Sequence, residues 1–165
     1  MGSVRAKVSR SVLVGVFVVV CLMIATPAPA AGNPSATGGG TAVELGEKST
    51  FTFNAVEHNN GAVIGHLVYN FRAGDISFHM DIDCMAITGN QAVLSGTVTK
   101  VSGNVEDYPF IFVGQDGVFQ VQDNGEGGGA SPDLFSDVNL DLGLNCNNSL
   151  PDPYIPISGN IQVDS

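Results

Sequence analysis

The sequence predicts an all-β fold, a small antiparallel β-barrel of about eight strands, with a β-sandwich as the alternative. Beyond residue 43, short segments rich in Val, Ile, Phe, Thr and Tyr alternate apolar with polar residues, which is the period of a two-faced strand. Gly, Asn and Asp separate these segments and favour tight turns. No stretch of about ten residues in this region has an apolar stripe at helical spacing. Sequential hairpins favour the barrel, because closure removes exposed strand edges.

Residues 1–30 have the pattern of a secretory signal peptide. A basic start precedes an uncharged apolar run over residues 12–24, and Ala28-Pro29-Ala30 fits an A-x-A cleavage site. The run of about 13 residues is shorter than the ~20 that a membrane-spanning helix needs. We therefore expect a secreted, extracellular protein that keeps no stable membrane anchor after cleavage.

Residues 31–42 are predicted to form a flexible leader, and residues 43–165 a single antiparallel β-domain. The leader is made mostly of small and polar residues, including Gly38-Gly39-Gly40, and offers no apolar anchor. The chain that follows is long enough for one hydrophobic core and too short for two.

The first two predicted strands form a hairpin. Residues 49–57 place Phe51 and Phe53 on one face, and residues 63–71 continue the alternation. Asn59-Asn60-Gly61 lies between them, and Asn and Gly tolerate the positive φ angles of hairpin turns.

The clearest predicted strand covers residues 76–84. Its apolar and polar residues alternate over the whole length: Ile76, Phe78, Met80, Ile82 and Cys84 against Ser77, His79, Asp81 and Asp83. One face is therefore expected in the core and the other in water. This alternation places Cys84 on the buried face.

Further segments complete the predicted barrel, at residues 92–101, 108–113, 117–123, 134–142 and 157–163. Gly65 and Gly96 lie inside strands and are interpreted as bends that closure requires. The aromatic residues expected to fill the interior are Phe51, Phe53, Tyr69, Phe71, Phe78, Phe110, Phe112 and Phe119. The alternative to a filled interior is a barrel that holds one small ligand.

The charge balance excludes some classes of partner. The chain has six basic and sixteen acidic residues, and three of the basic ones lie within residues 1–30. The remainder therefore carries three basic against sixteen acidic residues, a formal net charge of −13. Such a surface repels nucleic acid and anionic lipid, so we expect neither as a partner. One explanation of the excess of acidic residues is solubility. The alternative is that some of the carboxylates are gathered to bind a hard cation.

Cys84 and Cys146 are predicted to form a disulfide. They are an even pair beyond the signal peptide, and exported proteins fold in an oxidising environment. Closing a loop of about 60 residues contributes roughly 4 kcal/mol in the chain-entropy estimate.

The loop of residues 123–133 is a candidate calcium site. Asp123, Glu126 and Asp133, with Asp137 just beyond, surround flexible glycines. Calcium binds six to eight oxygens from carboxylates and carbonyls, although the spacing here does not match an EF-hand. The alternative is a solvated connection whose Asp and Gly residues serve turn geometry. Calcium is the one cofactor that the sequence suggests.

Asp81 and Asp83 are the candidate catalytic pair. Carboxylates at alternate strand positions stand about 7 Å apart, close enough for acid and base roles. An exposed polar face is the alternative. His58, His66 and His79 are scattered and lack a metal-ligand spacing. No nucleophile or phosphate-binding motif is present, so no catalytic residue is assigned and a non-enzyme is expected.

Two segments resemble the post-COAP domains, which are small exported bacterial β-domains. Thr52-Phe53-Asn54-Ala55 and Gly65-His66-Leu67-Val68-Tyr69 are similar to their opening, and Val121-Gln122-Asp123-Asn124-Gly125-Glu126 resembles their V-x-D-N-G-E segment. That segment usually continues with Pro-Gly and Asp-x-Phe, whereas here glycines follow and Asp133-Leu134-Phe135 comes later. The resemblance spans residues 50–137. It implies an exported β-domain without an established activity and without catalytic residues to carry over.

The expected function is that of a secreted, non-catalytic β-domain with a binding or structural role outside the cytoplasm. Its extracellular or cell-surface partner is not specified by the sequence. The alternatives are a small-ligand carrier that uses the barrel interior, and a hydrolase or isomerase that uses the paired carboxylates Asp81 and Asp83.

Overall fold

The alternating segments of the sequence form the wall of a β-barrel. The structure is a computed structural model that describes residues 32–140, 143–148 and 155–165. Within these ranges the chain contains nine strands and no helix. The strands are β1 (Ser35–Glu44), β2 (Glu47–Glu57), β3 (Val63–Phe71), β4 (Ile76–Thr88), β5 (Gln91–Gly103), β6 (Asp116–Gln122), β7 (Leu134–Phe135), β8 (Asn139–Leu140) and β9 (Ile155–Asp164).

All paired strands are antiparallel, and the sheet closes on itself. Strands β1 to β5 pair in sequence order, β5 pairs with β6, and β6 pairs with β7. β7 then pairs with β9, and β9 pairs with β1. These contacts make a closed barrel of eight strands, and β8 is an extra strand beside β6. The predicted barrel is confirmed, and the sandwich alternative is wrong.

The two ends of the barrel differ in chemistry. One end, here called the mouth, is formed by the β1–β2 turn, the β3–β4 turn, loop 104–115 and residues 136–140. The other end, the base, is formed by the β2–β3 and β4–β5 turns and by loop 123–133. Aromatic residues are concentrated in loop 104–115, whereas the base loops contain mostly Asn, Asp and Gly.

The flexible leader predicted for residues 31–42 is wrong over most of its length, because this segment forms β1. It pairs with β2 on one side and with β9 on the other. Ala36 and Ala42 are buried in the core. The glycines lie where the neighbouring strands come close, and a Cβ at Gly38 would be 2.9 Å from Ile161 Cγ1. The strand conformation therefore comes from tertiary pairing, which local propensity does not register.

Loop 104–115 replaces the strand predicted for residues 108–113. Pro109 has no N–H to donate to a sheet, which disfavours an inner strand at this position. Phe110 and Phe112, which the sequence places in the core, are instead 60% and 46% exposed. The segment predicted as one strand over residues 134–142 forms the two short strands β7 and β8 in its described part. The other predicted strands are confirmed, β3 with the predicted limits and the rest with at least one different end point.

A layer of aromatic side chains fills the barrel between mouth and base. Phe51 and Phe135 stack with ring centroids 3.8 Å apart. Phe53 meets Phe119 edge-on at 5.3 Å. Phe119 and Phe135 are almost completely buried. The filled interior is confirmed for this layer, and Phe135 is a central member that the sequence-based list omits.

A β-bulge in β4 reverses the predicted side of Cys84. The register against β5 shifts between Ile82 and Cys84, so that Asp83 is an additional residue in β4. Beyond the bulge Met85 packs against the core. Because side chains alternate along a strand, its neighbour Cys84 faces outward, and the predicted position on the buried face is wrong.

The predicted signal peptide, residues 1–30, lies outside the described residues. That prediction depends on the sequence alone. In the described ranges, no helix is long and apolar enough to cross a membrane.

Candidate functional site

The mouth of the barrel contains a cavity of about 510 Å³. It is lined by Glu44, Tyr69, Phe71, Phe78, Tyr108, Phe110, Ile111, Ser136, Asp137, Val138, Asn139, Leu140 and Ile155. Most of these side chains are aromatic or aliphatic, and a few carry hydroxyl or carboxylate groups. Small-molecule sites typically have volumes of roughly 300–1,000 Å³ and this mixture of apolar walls with a few polar groups.

The cavity exists because β7 is very short. Within the described residues, β7 consists of Leu134 and Phe135, which pair with β6 on one side and with β9 on the other. Beyond Phe135 the chain leaves β9, and Asn139 and Leu140 pair with β6 instead. The barrel interior is therefore filled up to Phe135 and left open above it.

Tyr69 supplies the main polar group at the floor of the cavity. Its hydroxyl oxygen lies 2.7 Å from Asp137 Oδ1 and 2.8 Å from Ser49 Oγ. A phenol has one proton to donate, and the carboxylate is the stronger acceptor. Tyr69 therefore donates to Asp137 and accepts from the Ser49 hydroxyl. The arrangement ties β2 and β3 to the segment after β7.

The environment of Tyr69 keeps its phenol protonated. Burial raises the pKa of Tyr69 most strongly, and the negative charge of Asp137 raises it further. The hydrogen bond from Ser49 acts in the opposite direction and lowers the pKa of Tyr69, whereas the bond to Asp137 and the charge of Glu44 raise it. The cavity floor is therefore a neutral phenol beside carboxylates.

Tyr108 fastens loop 104–115 over one side of the cavity. Its ring packs edge-on against Phe71 at 6.1 Å and against Phe110 at 5.8 Å. A Cβ at Gly74 would collide with the side chains of Tyr108 and Phe71, so the missing side chain leaves the space that Tyr108 uses. The aromatic wall is thus positioned by a turn that can contain only a small residue.

Gln115 fixes the other end of the same loop. Its Nε2 donates to the carbonyl of Leu140 at 3.1 Å, and its Oε1 accepts the backbone N–H of Phe112 at 3.3 Å. Its backbone is paired as well, because the N–H of Val98 donates to the Gln115 carbonyl at 2.8 Å. Gln115 is buried. This side chain joins loop 104–115 to β8, on the opposite side of the cavity.

The predicted calcium ligands are divided between the two ends of the barrel. Asp123, Glu126 and Asp133 lie in the base loop, whereas Asp137 binds Tyr69 at the mouth. In the base loop, the Asp123 carboxylate accepts the N–H groups of Gly125 and Val163. Among residues 32–140, 143–148 and 155–165, no three His, Cys, Asp or Glu side chains form a group that could hold a metal ion. This arrangement argues against one calcium site formed by all four carboxylates, and it does not test calcium binding itself.

Asp81 and Asp83 are exposed on the outer face of β4 and do not line the mouth cavity. Asp83 is the additional residue of the bulge, so the two carboxylates do not follow the regular alternation that their spacing predicts. His66 is the register partner of Asp81, and His79 that of Lys100. These side chains stand on the outer surface of the sheet, and their use in catalysis stays a prediction.

The disulfide between Cys84 and Cys146 is present, with the Cα atoms 5.6 Å apart. Cys84 faces outward beside Ser95 of β5, which in turn is paired with Val118 of β6. Ser95, Val118 and Cys146 are all buried. The disulfide therefore holds the segment that contains Cys146 against the outer surface of the barrel rather than against its core.

Comparison with family models, with curated proteins and with solved structures finds no match to this chain. The resemblance to the post-COAP domains therefore stays a prediction. The site must be interpreted from its own geometry.

Sequence reasoning missed the residues that define the mouth cavity. The sequence predicts Tyr69 only as a core residue and Asp137 only as a calcium ligand. The signal that could have indicated the cavity is Pro109 between aromatic residues, because a proline there predicts a loop that carries exposed rings. The contact between Tyr69 and Asp137 joins residues 68 positions apart and has no local signature.

Proposed function

We propose that the protein is a non-catalytic binding protein that holds a small organic ligand in the mouth of its barrel. The observation that carries the proposal is the aromatic cavity of about 510 Å³ above the filled core. Contiguous exposed apolar surface is typical of binding sites, and Phe110 is an exposed part of this apolar wall.

The walls of the cavity are held in place before any ligand binds. The hydrogen bonds of Tyr69 fix the floor, and those of Gln115 fix loop 104–115. Groups that are already ordered lose little conformational entropy when a ligand binds. This preorganisation supports a binding role for the cavity.

We propose further that the protein acts outside the cytoplasm. The signal-peptide pattern of residues 1–30 supports export. The disulfide between Cys84 and Cys146 is consistent with it, because such bonds persist mainly in oxidising compartments.

Ligand-observed NMR with a panel of small aromatic compounds tests the binding role. We expect some compounds to bind the wild-type protein and to lose affinity for Phe110→Ala, because Phe110 lines the cavity. Phe112→Ala is the matched control, since this ring is exposed on the same loop but does not line the cavity. Binding that is equally sensitive to both substitutions, or the absence of any binding compound, contradicts the proposal.

A further inference from the structure

We infer that the ligand of the mouth cavity is an organic cation, an ammonium group that carries apolar or aromatic substituents. The inference rests on the proposed ligand-binding function and adds the charge of the ligand to it. Three features of the cavity support it: the free side of a carboxylate, the signs of the lining charges and the aromatic faces.

The Asp137 carboxylate is positioned by one of its oxygens and leaves the other available. Oδ1 accepts both the Tyr69 hydroxyl at 2.7 Å and the backbone N–H of Val138 at 2.9 Å. No hydrogen bond within the described part of the chain uses Oδ2. Since Asp137 lines the cavity, its negative carboxylate keeps an oxygen free of hydrogen bonds from the described residues and can attract a cation.

The charges that line the cavity are all of one sign. Glu44 and Asp137 are the ionisable carboxylates of the wall, and no Lys, Arg or His is among the lining residues that the structure describes. The basic residues of the described ranges lie elsewhere, at Lys48, Arg72 and Lys100. Two carboxylates, with no basic residue among the described lining residues, favour a cation and disfavour an anion.

The aromatic rings favour the same class of ligand. Tyr69 and Phe78 stack with centroids 5.2 Å apart, and Tyr108 lies between Phe71 and Phe110 in edge-on contacts. The faces of such rings are negative and attract a cation within about 6 Å of the centroid. Aromatic rings alone also accept neutral apolar ligands, so the preference for a positively charged ligand comes from the carboxylates.

The charge of the whole protein acts in the same direction at longer range. Beyond residue 30 the chain has sixteen acidic and three basic residues. This excess raises the local concentration of cations near the surface and accelerates their association, an effect that salt weakens.

Three probes of similar shape and different charge test the inference. They are phenyltrimethylammonium, its neutral isostere tert-butylbenzene and the anion benzenesulfonate, each titrated into the protein and followed by protein-observed NMR. We expect phenyltrimethylammonium to bind at least about tenfold more tightly than tert-butylbenzene, and benzenesulfonate to bind more weakly than either. The shifted resonances should include those of Tyr108 and Phe110, which line the cavity.

Charge-neutralising variants assign the effect to the cavity. Asp137→Asn keeps an oxygen that can accept from Tyr69 and Val138, so the fold is maintained while the charge is removed. We expect it to weaken binding of the cation by about fivefold and to leave tert-butylbenzene unchanged, with a smaller effect for Glu44→Gln. Glu106→Gln is the matched control, because Glu106 is exposed on loop 104–115 and does not line the cavity.

The outcomes separate this inference from the proposed function. If tert-butylbenzene or benzenesulfonate binds in the cavity as tightly as the cation, the binding function stands and the cationic ligand is wrong. If Asp137→Asn and Glu106→Gln lower the affinity for the cation equally, the cation is attracted by the charge of the whole surface and the inference fails. If no probe of any charge shifts cavity resonances, both the function and the inference are overturned.

Discussion

Asp133 Oδ2 accepts the backbone N–H of Ile161 at 2.7 Å and so joins the base loop to the last strand. Oδ1 of the same carboxylate accepts the N–H of Asn124 at 2.8 Å, and the Asp133 carbonyl accepts the N–H of Ile157 at 3.0 Å. The side chain is only 5% exposed. Because β9 otherwise meets β7 through two residue pairs, Asp133 helps to hold the barrel closed at this short seam.

Asp133→Asn is expected to destabilise the protein by about 1–3 kcal/mol, because an amide offers one acceptor oxygen to two N–H groups, of which that of Ile161 is buried. Chemical unfolding of the variant and the wild-type protein measures the difference. Glu126→Gln removes the same charge from an exposed position of the same loop and is expected to be nearly neutral. Equal stability of the two variants contradicts the role of Asp133 in closure.

Calcium is expected to leave the melting temperature unchanged at millimolar concentration. The Asp123 and Asp133 carboxylates already accept backbone N–H groups, and Asp137 lies at the other end of the barrel. A ligand of the folded state must raise the melting temperature by mass action. Melting curves with calcium and with a chelator make the comparison. A calcium-dependent rise that Glu126→Gln abolishes would contradict this expectation and support a calcium site in the base loop.

Removing the disulfide is expected to destabilise the protein without changing its core. Cys84 and Cys146 are 62 residues apart in sequence, and closing a loop of this size contributes roughly 4 kcal/mol in the chain-entropy estimate. The double variant Cys84→Ser with Cys146→Ser should therefore unfold at lower denaturant concentration.

The outward position of Cys84 gives this experiment a second measurement. Amide hydrogen exchange should increase at Ser95 and Val118, which are buried on the outer face next to Cys84. Exchange at core residues such as Leu94 should stay slow in comparison. Faster exchange at Leu94 than at Val118 contradicts an external position of the disulfide.

The sequence predicts those strands whose two faces differ in polarity. Strand β3 has the predicted limits, and Ile76, Phe78, Met80 and Ile82 of β4 are buried as the alternation requires. The pattern fails at Cys84, because a bulge changes the phase and leaves no mark in the order of polar and apolar residues.

Features that depend on pairing between distant strands are not predicted. The glycine-rich β1 is a strand because β2 and β9 pair with it, and the cavity exists because Phe135 ends its pairing with β9. Both outcomes are set by neighbours far away in sequence. The predicted disulfide is confirmed because it depends only on the count of two cysteines beyond residue 30.

Tyr69→Phe is expected to change stability in a pH-dependent manner. Folding raises the pKa of Tyr69 above its unfolded value of about 10, because burial and the charge of Asp137 favour the protonated phenol. The protonated phenol therefore contributes to the free energy of unfolding. This contribution is fully present below about pH 10 and is lost as the pH rises through the pKa of Tyr69 in the folded state. At about pH 8, removing the hydroxyl costs about 1–2 kcal/mol through the lost hydrogen bonds to Ser49 and Asp137.

Chemical unfolding of wild type and Tyr69→Phe between about pH 8 and pH 11 measures this dependence. The stability advantage of the wild-type protein should shrink above about pH 10, by up to about 1.4 kcal/mol per pH unit. Tyr108→Phe is the matched control, since it removes a phenol from the same cavity whose hydroxyl makes no hydrogen bond among the described residues. Tyr108→Phe should therefore show the same dependence of stability on pH as the wild-type protein. The difference in free energy of unfolding between the wild type and Tyr69→Phe could instead stay constant across this pH range. That result would mean that the fold does not hold the Tyr69 phenol in its protonated form.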